Sequence, residues 1–317
     1  MIKLDGISAF VAVVEAESIS EAARQLKVAK SVVSERLTEL ERGLGARLVQ
    51  RTTRKLSLTT DGQAFYQRAS HIVRDVNDAA AEISERQGTL TGPLRIAGPV
   101  SFGSLHLGPA LYPFLKDNPG IELTLDLDDR LVDVVAEGYD AAIRHSAVCD
   151  ARVVVKPLAQ SRRVLVAAPE YLALHGRPRS LTDLKQHRAI VYTNRGIADW
   201  RFHGSNGMTV VRTRNGLCVN NGLIMRDAAV AGLGIALLPT FLISAALASG
   251  ELSLVDVAAE PEGAVIHIAY PKEGRVSAKV RALTEWLRGA FGDPPSWDSE
   301  IPPPNLRRYP SRASRSA

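Results

Sequence analysis

A chain of 317 residues, 45% hydrophobic and 23% charged, suits two or three compact units and excludes a low-complexity or wholly disordered class. The net charge of +5 is compatible with a nucleic-acid partner, and where the charge sits says more than its size. Two cysteines, Cys149 and Cys218, form no disulfide framework or zinc pattern; no secretory segment and no apolar run of about 18 residues is recognisable, so the expected location is the reducing cytoplasm.

In chain order, Ile7, Phe10, Val11 and Val14 place an apolar stripe on a first helix. Ser18, with Glu21 three residues on, is a capping box that starts a second helix, on which Ala22, Ala23 and Leu26 allow close packing. Lys27-Val28-Ala29 is short enough for a turn. Val33, Leu37, Leu40 and Leu44 then recur at steps of four, three and four, the buried face of a third helix. Its other face begins with Lys30, Ser31, Ser34 and Glu35, polar where the first turns of a reading helix would enter a major groove. From Arg42 to Thr60 there are five basic residues and no acid, which makes Arg51, Thr53 and Arg54 candidates to hold phosphates beside that helix. Periodicity alone fits any small helical core. The Arg/Thr cluster after Leu48, with Leu56 and Leu58 alternating as a wing strand should, favours a DNA-binding winged helix-turn-helix over residues 1–60.

Thr60 or Asp61 starts a long helix running to about Gln87, roughly 40 Å at 1.5 Å per residue. Phe65, Ala69, Ile72, Val76, Ala79 and Ile83 form a heptad seam, which predicts pairing with the same helix of a second copy; packing within one domain is the plainer alternative. Gly88, Gly92 and Pro93 close this linker, residues 61–91. Strands and helices then alternate over 92–291: a strand at 94–97, a helix through Leu105, Leu111 and Leu115, a strand at 121–127, a helix at 131–137 and a strand at 140–144. A second unit begins near Arg162. This order predicts parallel sheets covered on both sides. The lobes are expected at 92–161 with 268–291, and at 162–267. Residues 292–317 carry Pro294, Pro295, Pro302, Pro303, Pro304 and Pro310 with four arginines, and are expected to form a disordered tail.

The order and spacing of Ala22-Ala23-Arg24-Gln25-Leu26, Val33-Ser34, Leu40-Glu41, Leu44-Gly45, Leu48, Arg51-Thr52-Thr53-Arg54, Leu58-Thr59 and Gly62 resemble the LysR-type transcriptional regulators, and the resemblance continues over nearly all of residues 1–291. It implies an α/β chain with an N-terminal winged helix-turn-helix, a long linker helix and a two-lobed effector domain like a periplasmic binding protein. It also implies a small, anionic metabolite between the lobes, assembly as a dimer and then a tetramer on DNA, and contact with RNA polymerase. There are two departures. Ala29 stands where the family usually has Ser or Thr, so a side-chain cap worth about 1 kcal/mol is missing. Glu35 stands where Arg is frequent; an acid repels phosphate but can accept from a cytosine amino group.

Effector candidates follow from the same resemblance. Ser101 and Phe102 open a helix after the first strand, where free N–H groups favour an anion; a plain N-cap is the alternative for Ser101. Arg144 and His145 end a strand at the expected hinge, where Arg144 would pair with a ligand carboxylate or close the lobes by a salt bridge. Asn194 lies near the other crossing, and Asn221 heads a helix. Cys149 and Cys218 raise an oxidation switch against the commoner inert role. The Gly232-Leu233-Gly234 glycines make no dinucleotide fingerprint, the histidines no metal spacing, and no cofactor is expected. A solute-binding protein would have no use for residues 1–60, and an enzyme would need a catalytic motif that is not recognisable.

Overall fold

The computed structural model describes residues 2–51, 56–85, 89–145, 150–193, 199–204, 207–272, 276–299 and 301. The chain begins with α1 (Leu4–Glu15), α2 (Ile19–Gln25) and α3 (Lys30–Leu44), then the antiparallel pair β1 (Val49–Arg51) and β2 (Leu56–Leu58), then α4 (Thr60–Glu85). Ser18 Oγ accepts from the Glu21 N–H at 3.3 Å, as the capping box requires. Phe10, Leu37, Leu40, Leu48 and Ala69 close one small core, and Ala9, Val13, Ala22 and Val33 a second beside it. The seam of α4 is thereby divided. Phe65 and Ala69 pack into the N-terminal core, with Phe65 5.6 Å from Phe10, whereas Ile72 and Val76 stay 42% and 43% exposed.

The rest of the chain forms two five-stranded sheets and a smaller one of three strands. β3 (Thr91–Gly98) leads into α5 (Val100–Phe102), a π-helical turn at Gly103–Leu107 and α6 (Gly108–Asp117). β4 (Gly120–Leu127), β5 (Ala141–Arg144) and β6 (Val153–Ser161) follow. β7 (Arg163–Ala167), α7 (Pro169–His175) and β8 (Arg188–Tyr192) open the second sheet, β9 (Asp199–Gly204) and β10 (Gly207–Arg212) make a hairpin on it, and β11 (Arg214–Val219), α8 (Gly222–Val230) and β12 (Ile235–Pro239) continue it. After α9 (Ser244–Ala248), β13 (Ser253–Leu254) and β14 (Glu260–Pro261), the chain returns through β15 (Ala264–Pro271) and α10 (Ala278–Phe291). The strand orders are β4-β3-β5-β15-β6 and β11-β8-β12-β7-β13. One core cluster runs through both, joining Leu94, Ile96 and Leu283 of the first lobe to Ile190, Met225 and Leu238 of the second.

Four expectations are corrected. The sheets are mixed: β3, β4 and β5 are parallel, but β15 runs antiparallel to β5 and β6 because β6 and β15 carry the chain across and back. β15 pairs in the first sheet from Ala264, opposite Ser161, so the lobe boundary expected at 268 falls inside a strand. The helix expected at 131–137 is a turn. Asp133 accepts from the Val135 and Ala136 N–H groups at 3.1 and 3.0 Å, and Glu137 accepts from the Asp133 N–H at 2.8 Å, so carboxylates hold the segment as a single turn. Residues 292–299 fold back instead of trailing away: a 3-10 turn at Ser296–Asp298 places Trp297, 4% exposed, on α10 and α5, and Ile301 is buried as well. Pro302 onward lies outside the described residues.

Candidate functional site

The N-terminal unit presents α3 as a helix packed on one side. Val33, Leu37 and Leu40 are buried, whereas Lys30, Ser31 and Glu35 are exposed and Ser34 is half-buried. The turn before it is kept tight by Lys27 in the left-handed region at φ 54°, and Ala29 caps α3 without a side-chain bond. Glu41 Oε1, on α3, accepts from the N–H groups of Leu48 and Val49 at 2.8 and 3.1 Å, which fixes the wing against the reading helix. The wing's other leg is tied by Thr59, whose hydroxyl donates to the Arg47 carbonyl at 2.6 Å and accepts from the Gly62 N–H at 2.9 Å. A Cβ on Gly62 would lie 2.0 Å from the Leu48 carbonyl oxygen, so no larger residue fits. Arg51 places its backbone at the end of β1 opposite Leu56; Thr53 and Arg54 lie outside the described residues.

The second site lies where the lobes meet. Ser101 is only 6% exposed, and its hydroxyl has no hydrogen-bond partner among the described residues. It faces the start of α8, where a Cβ on Gly222 would stand 3.4 Å from Ser101 Oγ and 2.7 Å from Leu242 Cδ1. The helix start beside it is already occupied: Asp129 Oδ1 accepts the Val100 N–H at 3.0 Å. That carboxylate takes one of the N–H groups at this helix start, a position that favours an anion. Burial pushes the Asp129 carboxyl above the ordinary aspartate range, and the Val100 bond pulls it partly back. Phe102 points away from Ser101 into an aromatic core, with Phe241, Phe291 and Trp297 rings at 5.1, 5.3 and 5.7 Å. It is a core residue with 1% exposure.

Arg144 is buried at the end of β5, donates from Nη2 to the Val132 carbonyl, and leaves Nε unpartnered. Burial lowers its pKa from the ordinary guanidinium value, opposed by the charges of Glu137 and Asp133. Its bond stays within the first lobe; the ion pair that ties the two crossings is Arg162 to Glu260, at 3.2 Å. His145 hydrogen-bonds through Nε2 to Ser161 Oγ and sits 5.4 Å from the Phe241 ring. Asn221 is an N-cap, accepting from Leu223 and Ile224 N–H at 3.0 and 3.2 Å. Asn194 and Cys149 lie outside the described residues, and Cys218 is exposed on β11. Among the described residues no cluster of His, Cys, Asp and Glu could hold a metal ion, and no helix is long and apolar enough to cross a membrane.

Residues 4–63 match the model of the bacterial regulatory helix-turn-helix protein, lysR family, and residues 87–292 match the LysR substrate binding domain. The chain is a LysR-type transcriptional regulator. The regulator YhjC of Escherichia coli K12 is 34% identical over 294 residues, covering 92% of this chain and 98% of its own. DmlR of the same organism is 33% identical, at 92% and 95% coverage. The solved structure of CrgA, a LysR-type transcriptional regulator from Neisseria meningitidis, superposes with a TM-score of 0.59 at 28% identity, over 90% of this chain and 97% of that one.

For this LysR-type regulator, the geometry adds residues that sequence reading missed. Asp129 was hidden because it caps a helix 29 residues upstream of itself, which no local spacing reveals. Phe241 and Trp297 meet Phe102 only through tertiary folding. Glu41 alone carried a readable signal, since it is an acid at the end of the reading helix just before the basic run.

Proposed function

We propose that this LysR-type regulator reads a two-fold DNA site as a dimer, through Lys30, Ser31, Ser34 and Glu35 of α3 and the phosphate-binding residues Arg51, Thr53 and Arg54 of the wing. The observation that carries this is the division of α3: three apolar residues buried, and an exposed polar N-terminal face beside a wing locked to the same helix by Glu41. The exposed half of the α4 seam supports pairing with a second copy, and such dimers would associate further on DNA, in the cytoplasm where the DNA lies. RNA polymerase is a natural further contact of the bound assembly.

A small molecule between the lobes would meet the Ser101 hydroxyl. With Asp129 already on the Val100 N–H, this helix end favours a neutral polar group over a carboxylate. The molecule shifts the assembly only if it binds one lobe arrangement more tightly than another.

The test is footprinting on the DNA beside its gene, with variants. Arg51→Ala and Arg54→Ala are expected to weaken binding on every sequence, each lowering the salt slope by about one. Ser34→Ala and Glu35→Ala are expected to change the preferred site more than the affinity. An unaltered salt slope removes the arginines from the phosphate contacts, and unaltered selected sites remove Ser34 and Glu35 from base reading.

A further inference from the structure

β8 and β11 lie side by side and parallel, with a bulge at Gly216, and their first residues are both arginines: Arg214 pairs with Arg188. Strands stand about 4.8 Å apart, so two guanidiniums start from neighbouring backbones, and like charges in that position repel. Both side chains are exposed, and among the described residues neither makes an ion pair or side-chain hydrogen bond. They open onto a cavity of about 550 Å³ lined by Tyr171, His175, Gln186, His187, Arg188 and Arg214. Every polar lining group is a cation, an imidazole, an amide or a phenol, and no carboxylate is among them.

The cavity is built. Gly216 holds the Arg188 side chain against the sheet: a Cβ there would stand 3.1 Å from both Cβ and Nε of Arg188. A Cβ on Gly234 would come within 2.4 Å of the Arg188 carbonyl oxygen, so that backbone too is closely seated. The Tyr171 hydroxyl accepts from the Arg188 N–H at 3.1 Å and lies 3.3 Å from Nδ1 of the buried His187. His175 packs its ring on Tyr171 at 4.5 Å. Asp183, five residues before Arg188, directs Oδ2 to the Arg179 and Ser180 N–H groups at 2.9 and 3.0 Å.

We infer that this cavity binds a small oxyanion, a phosphate or carboxylate group held between the Arg188 and Arg214 guanidiniums. Guanidinium forks bind both groups in bidentate geometry, and an anion between them removes the repulsion that the register imposes. The site is distinct from the space at Ser101. β11 runs from Arg214 to Val219 and on to Gly222 beside Ser101, so the two lie at opposite ends of the strand, about 16 Å apart.

The test titrates the full-length protein, in chloride buffer at constant ionic strength, with sodium phosphate and separately with sodium succinate, read by calorimetry and by melting temperature. Saturable binding of either is expected, and which one binds tighter names the source of the oxyanion. Arg214→Gln and Arg188→Gln are expected to weaken it about tenfold or more. Without the anion, Arg214→Gln is expected to melt at or above the parent, because the repulsion is gone. Should Arg188→Gln fail to fold, Arg214→Gln on the edge strand carries the test alone. Absence of saturation in the parent, or equal affinity in Arg214→Gln, overturns the site. Loss of DNA affinity in Arg214→Gln with no anion binding by the parent reassigns the pair to the DNA backbone and overturns it too.

Discussion

Asp129 shows how one side chain changes the chemistry expected of its neighbours. Val100 and Ser101 sit where a helix start was expected to greet an anion, and the protein supplies its own. Its native pKa stands above the unfolded value, chiefly through burial, so the native state holds the proton more tightly. That contribution to stability is complete below the unfolded value and is lost as pH rises through the native one. At neutral pH the ionised, part-buried carboxylate is therefore a cost. Asp129→Asn keeps an oxygen for the Val100 N–H and removes the charge. D129N is expected to melt above the parent at neutral pH, with the gap closing as pH falls through the native aspartate range. Melting curves across pH decide it, and a D129N that melts lower at neutral pH would show that the charge itself holds α5 in place.

Elements were legible where one face is apolar and the other is not. The stripe of α3 and the capping box at Ser18 needed only local spacing, and both stand as read. Residues 131–137 misled because Leu131, Val134 and Val135 mimic a helix face, while Asp133 and Glu137 turn the backbone amides toward their own carboxylates. The segment after α10 misled for the opposite reason: its prolines suggested a chain unable to fold alone, which ignores one aromatic residue landing on a surface built by others. Trp297 packs 4.6 Å from His106 and 5.6 Å from Phe291, and also 6.3 Å from Phe241, which follows β12 of the second sheet. The turn at 296–298 thus braces both sheets at once. Trp297→Ala is expected to cost about 3 kcal/mol or more, the range for emptying a buried aromatic site. Trp297→Phe should recover much of it, since the indole N–H has no partner to lose. Chemical denaturation of the three proteins checks this. Equal stability of parent and Trp297→Ala would mean that the strap adds nothing to the core.

At the scale of the molecule, the three-part plan was legible because each part has its own periodicity, while the joints were not. Heptad spacing cannot say where α4 stops serving its own core and starts facing outward. The structure puts that change between Ala69, fully buried, and Ile72. His71 donates to the Val135 carbonyl at 2.9 Å, so α4 also leans on the first lobe just where the exposed stretch begins. Ile72, Val76 and Ala79 then form a stripe left exposed by the described residues, on a helix long enough to hold two reading heads apart. Ile72 and Val76 each still have about two-fifths of their surface in water, so full burial against a second copy of α4 would gain roughly 0.6–1.3 kcal/mol per residue. Ile72→Lys with Val76→Asp is therefore expected to shift the protein toward monomer and to weaken binding to a two-fold site far more than to a half-site. It should leave the melting of each unit near the parent's, because neither residue is in a core. Sedimentation at matched concentrations, read beside half-site and full-site affinities, separates the outcomes. A double variant that stays dimeric and keeps its preference for the full site would place the dimer contact on another surface and leave the α4 stripe to some other partner.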